Sequence, residues 1–304
     1  MGKRKDTVVA KVNAEELYDT QLESAVKNYN QFLKDQGIEM RALGQDQMHK
    51  VRHFMLQKLV ERELLHQEAL KKKIKVTKQE IDKVMENSEA KYPTHEKFLE
   101  DVLEEGETIE NYRERLAYDM LVNKLTAKRY EDLKKEFSPE EIEQFYQQNT
   151  QLFAQPESVN IGHILLNIEE DGDAKKWDEG KKKLLKLRES KKDFRELAKE
   201  YSECPTGKKG GDLGFVPRGR LFQPLELAAF KLKINEISQP IESNAGIHLI
   251  KLYDRRPQGF IPPYDEIKEL VEQAAKTNQA QQIYQDYIVE IQAKATVKLF
   301  DYSD

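Results

Sequence analysis

Three side chains form the only plausible set for nucleophilic chemistry in this sequence. They are Cys204, which is the only cysteine, and the histidines His163 and His248, each inside an otherwise apolar stretch, NIGHILLNI and GIHLIKL. A buried histidine needs a hydrogen-bond partner, because an unsatisfied buried polar group costs about 1–3 kcal/mol. Two histidines in strands of one sheet could partner each other, so a satisfied core pair and a working site both remain open interpretations.

A cysteine hydrolase or acyl transferase would need a thiolate, a histidine base and an orienting third group. No nucleophile-elbow or family signature surrounds Cys204, so this chemistry is disfavoured. Metal binding is disfavoured as well. His49, His53 and His66 lie on one charged helix, but the HKVRH pair lacks a third ligand at a familiar spacing. We therefore predict no metal site.

The stretch around Cys204, SECPTGKKGGDLGFVPRG (202–219), is rich in glycine. Its GKKGGDLG segment is not a phosphate-binding loop, since it lacks the Gly-Lys-Ser/Thr ending and the strand-to-helix context of such loops. The glycines instead predict a compact loop whose backbone takes positive φ angles and closely approaches its neighbours.

The composition allows two domains and argues against several classes of protein. The chain has 304 residues, of which 35% are charged and 38% hydrophobic, with 12 Phe and 13 Tyr that can build cores. A net charge of −5 argues against nucleic-acid binding, and no apolar run approaches the ~20 residues of a membrane span. The start, MGKRKDTVVAKV, has the basic end of a signal peptide without its apolar stretch. We expect either a cytoplasmic protein or a mature chain whose leader has been replaced.

Residues 1–155 predict one short strand followed by helices. The alternating, β-branched segment TVVAKV (7–12) predicts the strand, and Asn13 and Gly37 are predicted to begin and end the first helix. Apolar residues then recur at helical spacing, and a break at Gly106 separates two further predicted helices. This region is predicted to be a helical domain with highly charged surfaces.

Residues 156–257 change to a mixed pattern, with Pro156 at the seam. A strand (158–168) precedes the acidic loop EEDGD, and the order of elements over the whole segment is βααβαββ-like, a domain-sized α+β unit. Residues 258–304 return to helix and finish on the β-branched strand ATVKLFDY. Strands at the two ends of the chain invite pairing with each other. We predict an α+β multidomain fold: a mainly helical domain built from both termini, with the α+β domain inserted into it.

The inserted segment resembles a parvulin-type peptidyl-prolyl cis-trans isomerase domain. The resemblance is carried by GHILL at the first strand, FRELAKEYSECPTGKKGGDLGFVPRG in the middle, and FQPLELAAFKLKINEISQPIESNAGIHLIKLYDRR at the end. It covers about a third of the chain. The flanking helical segments resemble the chaperone module of SurA-like and PrsA-like extracytoplasmic folding factors, in which a parvulin domain is likewise inserted.

The resemblance implies a catalytic set of four side chains. His163 and His248 fall on the family's paired histidines, Ser243 falls near a hydroxyl position, and Cys204 falls where the family has Cys or Asp. That interchange implies a thiol that is not an obligatory covalent nucleophile, and the four side chains are expected to form one hydrogen-bond network. The implied proline pocket is formed by Leu213, Val216, Leu221, Phe222 and Leu225.

The resemblance also implies the activity, the partners and the location. A parvulin-type site rotates X–Pro bonds without a cofactor, and we expect weak activity because Leu221 and Leu225 stand where Met and Phe are common. The alternative is a holdase chaperone with a catalytically silent parvulin domain. The implied partners are unfolded or outer-membrane-bound client proteins and proline-containing peptides, and the implied compartment is the periplasm, with a cytoplasmic isomerase as the other option left open.

Overall fold

A computed structural model describes residues 6–37, 44–104, 107–168 and 174–300. The chain divides into two compact units, residues 1–136 with 274–304, and residues 137–273. None of the described helices is both long and apolar enough to span a membrane. The predicted break at Gly106 and the predicted acidic loop EEDGD (169–173) lie outside the described residues.

The helices and strands are numbered along the chain. The helices are α1 (Asp19–Asp35), α2 (Gln45–Lys71), α3 (Lys78–Glu89), α4 (His95–Glu104), α5 (Ile109–Leu133), α6 (Pro139–Gln148), α7 (Ala174–Arg188), α8 (Phe194–Tyr201), α9 (Gln223–Ala229) and α10 (Tyr264–Gln292). The strands are β1 (Val8–Val12), β2 (Glu15–Tyr18), β3 (Ser158–Asn167), β4 (Asp212–Pro217), β5 (Ile241–Ser243), β6 (Gly246–Arg256) and β7 (Val297–Leu299).

The first unit is helical and carries a small sheet made from both ends of the chain. Its strands have the order β2-β1-β7 and are antiparallel, with Ala10 opposite Leu299. The predicted pairing of the terminal strands is therefore confirmed. The core of this unit joins buried residues of β1, α2 and the C-terminal part of α10, including Leu56, Leu65 and Tyr287.

The prediction that Asn13 begins the first helix is wrong. Asn13 has φ +58° in the turn between β1 and β2, a left-handed conformation that asparagine tolerates better than most residues. Its Oδ1 accepts a hydrogen bond from the Thr296 backbone N–H at 2.9 Å, so the side chain ties the turn to the segment before β7. Helix α1 begins at Asp19 and ends at Asp35, and Gly37 follows with φ +77°.

The second unit is the α+β unit, and its element order is the predicted β–α–α–β–α–β–β. Its four strands form an antiparallel sheet in the order β4-β3-β6-β5, with the long strands β3 and β6 in the centre. Helices α7 and α8 pack against buried residues such as Ile164 and Leu249. Helix α9 packs against a second set that includes Ile161 and Ile250.

The α+β unit includes chain on both sides of this sheet. By their contacts, residues 137–155 and 258–273 group with the sheet. The Tyr146 hydroxyl donates to the Pro262 carbonyl at 2.7 Å, and Gln155 pairs with Phe260 in an isolated antiparallel bridge. The two segments that enter and leave the unit are thus held together at its base.

Candidate active site

The register of β3 and β6 places both histidines on one face of the sheet. His163 lies opposite Ile250, and Leu165 lies opposite His248. Side chains directly opposite each other point to the same face, and so do alternate residues along a strand. The side chains of His163, Leu165, His248 and Ile250 therefore all lie on one face of the sheet. Ile250 belongs to the cluster under α9, so the histidines share the face that α9 covers.

The two histidines and Ser243 form a chain of hydrogen bonds. His163 Nε2 lies 2.7 Å from His248 Nδ1, and His248 Nε2 lies 2.5 Å from the Ser243 hydroxyl oxygen. The histidines are buried, with 8% and 4% of their surface exposed. Ser243 Oγ also accepts a hydrogen bond from the Ala245 backbone N–H at 3.0 Å, which fixes the serine at the end of β5, next to the short turn into β6.

This chain can hold its protons in two orders. Either Ser243 donates to His248 and His248 donates to His163, or both steps run the other way. Both orders use both ring nitrogens of His248. In both orders His163 Nδ1 is the open end, since it is buried and has no hydrogen-bond partner among the described residues.

Burial keeps both imidazoles neutral at neutral pH. It lowers the pKa of His163 below the usual value of 6.5. The pKa of His248 is lowered to about 4, first by burial and second by the charge that His163 would carry if protonated. A shared N–H···N bond requires at least one neutral ring, because two imidazolium rings would have only donors to offer each other, and two neutral rings meet that requirement.

Cys204 is held by its own loop. Its Sγ accepts a hydrogen bond from the Thr206 hydroxyl at 3.1 Å, and its backbone N–H donates to Ser202 Oγ at 3.4 Å. Ser202 Oγ also accepts from the backbone N–H of Leu165, which attaches the loop to β3. Among the described residues, Cys204 makes no hydrogen bond to either histidine, so the network expected for four side chains contains three.

Sequence reasoning missed Thr206 and Ser202. The signal that could have found them is their spacing, two residues on either side of Cys204. Ser and Thr at that distance commonly bond to a neighbouring backbone or side-chain group and so fix a loop.

The glycine-rich loop reaches β3 through Gly211. The Gly211 carbonyl accepts a hydrogen bond from the His163 backbone N–H at 2.8 Å. Gly211 has φ +69°, and a Cβ atom there would lie 2.2 Å from the His163 carbonyl oxygen. The close backbone approach that the glycines predict occurs beside a histidine of the site, within a segment that also contains strand β4.

The predicted proline pocket is divided by the structure. Leu213, Val216, Leu221 and Leu225 join one apolar cluster on the histidine face, and of these Leu225 is the most deeply buried, at 9% exposure. Phe222 stands at the start of α9 with 48% of its surface exposed and lies outside that cluster.

The three histidines of α2 do not form a metal site. In the described parts of the chain, no group of three or more His, Cys, Asp or Glu side chains is placed to hold a metal ion. The His66 ring instead stacks on Tyr118 at a centroid distance of 3.9 Å.

Comparison with protein families gives two matches that divide the chain as its two patterns do. Residues 163–254 match the PPIC-type PPIase domain, also called rotamase, and residues 1–126 match the SurA-like N-terminal domain. All nine residues of the predicted site lie within the first match. The fold and the site thus define a parvulin-type peptidyl-prolyl isomerase domain carried on a SurA-like helical unit.

Relatives that align with most of the chain identify its family. The foldase protein PrsA of Geobacillus sp. (strain WCH70) is 34% identical over 71% of this chain and 68% of its own length. The PrsA of Geobacillus kaustophilus is 32% identical over 78% of both chains. The chain belongs to the PrsA foldase family. A solved SurA-like chaperone from Campylobacter jejuni aligns over 97% of this chain and 99% of its own, with 16% identity and a TM-score of 0.48.

Proposed function

We propose that this protein is an extracytoplasmic folding factor that isomerises X–Pro bonds at the histidine face and holds unfolded client segments on its helical unit. The observation that carries the enzymatic part is the chain His163–His248–Ser243 on the same sheet face as Leu213, Val216 and Leu221. Apolar side chains that hold a proline ring therefore adjoin polar groups that meet its amide.

This site catalyses isomerisation by binding the twisted X–Pro amide more tightly than the planar amide. Rotation about an X–Pro bond has a barrier of about 18–20 kcal/mol, because amide resonance is lost on the way. A site that binds the twisted form better than either planar form lowers that barrier. The apolar cluster takes up the proline ring, and the His163–His248–Ser243 chain supplies the polar groups on the same face of the sheet.

The thiol has no part as a nucleophile in this scheme. Nucleophilic cysteines are activated by an adjacent base, whereas Cys204 Sγ accepts a hydrogen bond from the Thr206 hydroxyl. The mechanism is therefore non-covalent, and it needs no proton transfer to solvent.

Client binding is assigned to a groove on the helical unit. The groove has a volume of about 840 Å³ and is lined by residues of α1, α2 and α5. At its edge the centroid of the Tyr29 ring lies 6.4 Å from that of Phe32 and 6.1 Å from that of Phe54. These two phenylalanines are 56% and 43% exposed. Exposed aromatic rings beside a groove are suited to extended apolar and aromatic segments of unfolded chains.

The compartment follows from the family. SurA-like and PrsA-like folding factors act outside the cytoplasm, and we extend that location to this protein, with the periplasm and its outer-membrane-bound clients as the specific form. Fractionation of cells that carry a C-terminally tagged gene with its native start tests this. Recovery of the tagged chain in the cytosolic fraction would contradict it.

A second function is favoured by one observation. Leu225 is almost fully buried against Ala229 and Phe230, so the aliphatic pocket offers little free surface to a proline ring. In this alternative the protein is a holdase chaperone whose parvulin domain binds peptides without isomerising them.

A protease-coupled assay on a proline-containing tetrapeptide separates the two functions. We expect the wild-type chain to accelerate cis-to-trans conversion slowly, and Leu221→Met with Leu225→Phe to accelerate it more. Activity in the double variant alone would identify the native domain as a binding module. No acceleration by either at high enzyme concentration would remove the enzymatic proposal.

Client binding has a separate test on the full chain. Phe32→Ser with Phe54→Ser is expected to weaken suppression of aggregation of a thermally unfolded client enzyme. Leu103→Ser is the control, because Leu103 is 65% exposed on α4 and does not line the groove. Equal suppression by both variants would contradict the assignment.

A further inference from the structure

The floor of the groove contains a buried carboxylate. Glu63 of α2 lines the groove and is 6% exposed. Among the described residues it is the only carboxylate that is buried. Burying an ionised carboxylate is costly unless hydrogen bonds or an opposite charge compensate it, so its partners decide what it can do.

The partners of Glu63 are neutral side chains. Tyr118 donates its hydroxyl to Oε2 at 2.8 Å, and Gln67 donates from Nε2 to Oε1 at 2.7 Å. Burial, and then the negative charge of Glu63, raise the pKa of Tyr118, which therefore stays protonated and remains a donor. The His66 Nδ1 atom is 3.9 Å from Oε2, at the outer limit of an ion pair.

Three of the four permanent cations that line the groove are engaged elsewhere, and the fourth, Lys27 of α1, is exposed and has no ion-pair partner among the described residues. Arg62 pairs with Asp119 and lies over the Tyr118 ring, and Arg115 pairs with Glu107 at 2.9 Å. Lys58 pairs with Glu61 at 2.7 Å. No lysine or arginine of the described chain lies within ion-pair distance of Glu63, so its close partners are the hydrogen bonds from Tyr118 and Gln67, with the His66 ring at 3.9 Å.

The groove around Glu63 suits a long side chain with a cationic end. A carboxylate has about four acceptor positions, and the two recorded donors leave about two of them open. The walls include the apolar side chains Leu17, Met55 and Leu59. Lysine and arginine bury their methylene stems along apolar surface and carry a charge at the tip, which matches such walls above an acidic floor.

We propose that the groove binds a lysine or arginine side chain of an unfolded client and that Glu63 is its buried counter-ion. The inference rests on the proposed function, in which this groove holds client segments, and adds the chemistry of the residue it selects. The preferred segment has one basic residue flanked by apolar and aromatic residues, because those neighbours meet the rim at Tyr29, Phe32 and Phe54.

Fluorescence anisotropy with the full chain tests the preference directly. The probes are fluorescein-labelled ten-residue peptides of Ala, Leu and Tyr that carry either lysine or norleucine at one central position. Norleucine keeps the apolar stem of lysine and lacks its ammonium. We expect the lysine peptide to bind the wild-type protein at least tenfold more tightly.

Two variants locate the effect. Glu63→Gln is expected to reduce the preference to within twofold while norleucine-peptide binding stays unchanged, which shows that the groove is still folded. Glu114→Gln is the matched control, since Glu114 lines the same groove but is exposed, and we expect it to keep the preference.

Three results would overturn the inference, and they differ in what else they remove. Equal binding of lysine and norleucine peptides to the wild type would end the role of Glu63 and leave client binding intact, as would a preference that survives Glu63→Gln. Failure of both peptides to bind the wild type would remove the groove as a client site, and the inference with it.

Discussion

His163 and His248 are hydrogen-bonded to each other although neither lies directly opposite the other in the sheet. His163 faces Ile250 and His248 faces Leu165, so the 2.7 Å bond between Nε2 and Nδ1 runs along the diagonal of the β3–β6 pair. Diagonal neighbours are farther apart than direct neighbours and meet only when their side chains are long. The bond therefore depends on this register, and a slip of one residue in either strand would send that strand's histidine to the other face.

The depressed pKa values predict that the α+β unit loses stability in mild acid. Between pH 6.5 and about pH 4 the unfolded chain binds a proton at His248 and the folded chain does not. The free energy of unfolding therefore falls as pH falls through this window, by about 2 kcal/mol between pH 7 and pH 5 for His248, and His163 changes it in the same direction. Urea unfolding followed by Trp177 fluorescence measures this, because Trp177 is the only tryptophan and packs in this unit.

The control for this pH dependence is the double variant His163→Gln with His248→Gln. These are the only histidines between residues 137 and 273, so the pH dependence between pH 5 and pH 7 is expected to flatten. An equal loss of stability in the double variant would assign the effect to other groups.

Ser243→Ala is predicted to lower isomerase activity and also to lower stability by about 1–3 kcal/mol, because it leaves the buried His248 Nε2 without a partner. Ser243 is half-buried and bonds to His248 at 2.5 Å, so its removal frees His248 Nε2 and disturbs the order of protons along the chain. One such hydrogen bond is worth about 1 kcal/mol, and we expect kcat/KM to fall about tenfold. The protease-coupled assay gives kcat/KM, and thermal unfolding gives Tm.

Ser190→Ala is the matched control for Ser243→Ala. Ser190 Oγ also accepts a backbone N–H two residues further along, from Lys192, in a loop before α8. Its replacement is expected to leave kcat/KM unchanged. A fall of equal size in both variants, or an unchanged kcat/KM in Ser243→Ala, would contradict a role for the serine in the chain.

The sequence predicts the histidine pair because two polar residues in apolar strands need partners. It could not predict the hydrogen-bond partner of Cys204 Sγ, since that depends on how the loop turns after α8. The Thr206 hydroxyl is two residues away and satisfies the sulfur locally, before either histidine is reached. Short-range bonds of this kind compete with long-range ones and are set by the loop backbone.

The fold shows the same division between pattern and context. The terminal strands pair as their β-branched residues predict, whereas Asn13 leads to a turn where a helix cap is expected. Asparagine favours both situations, and its Oδ1 accepts the backbone N–H of Thr296, 283 residues away in sequence. The bond to Thr296 decides between a helix cap and a turn, and the residues next to Asn13 in the sequence give no sign of that partner.

Cys204→Asp is predicted to keep isomerase activity within about tenfold of the wild type. A non-covalent mechanism needs a polar side chain that Thr206 can bond at this position, and a carboxylate accepts that hydrogen bond as a sulfur does. Removing an essential nucleophile would lower kcat by about a millionfold, as in serine proteases. The protease-coupled assay therefore separates the two mechanisms, because the two expected losses of activity differ by several orders of magnitude.

Mass spectrometry of the wild-type protein during turnover supplies the second measurement for Cys204. We expect the mass of the chain to stay unchanged at saturating peptide. A peptide adduct on Cys204, together with loss of activity in Cys204→Asp, would establish covalent catalysis and overturn the proposed mechanism.

Gly211→Ala is predicted to destabilise the α+β unit far more than Gly219→Ala. Both glycines have positive φ angles, +69° and +80°, so each alanine carries a backbone cost of about 1–2 kcal/mol. Only at position 211 would the new Cβ also meet backbone, 2.2 Å from the His163 carbonyl oxygen, and the total loss there is expected to reach about 4 kcal/mol or more. At position 219 no atom lies within 4 Å of the new Cβ. Urea unfolding followed by Trp177 fluorescence compares the two variants, and equal losses would show that the loop can move away from β3 at little cost.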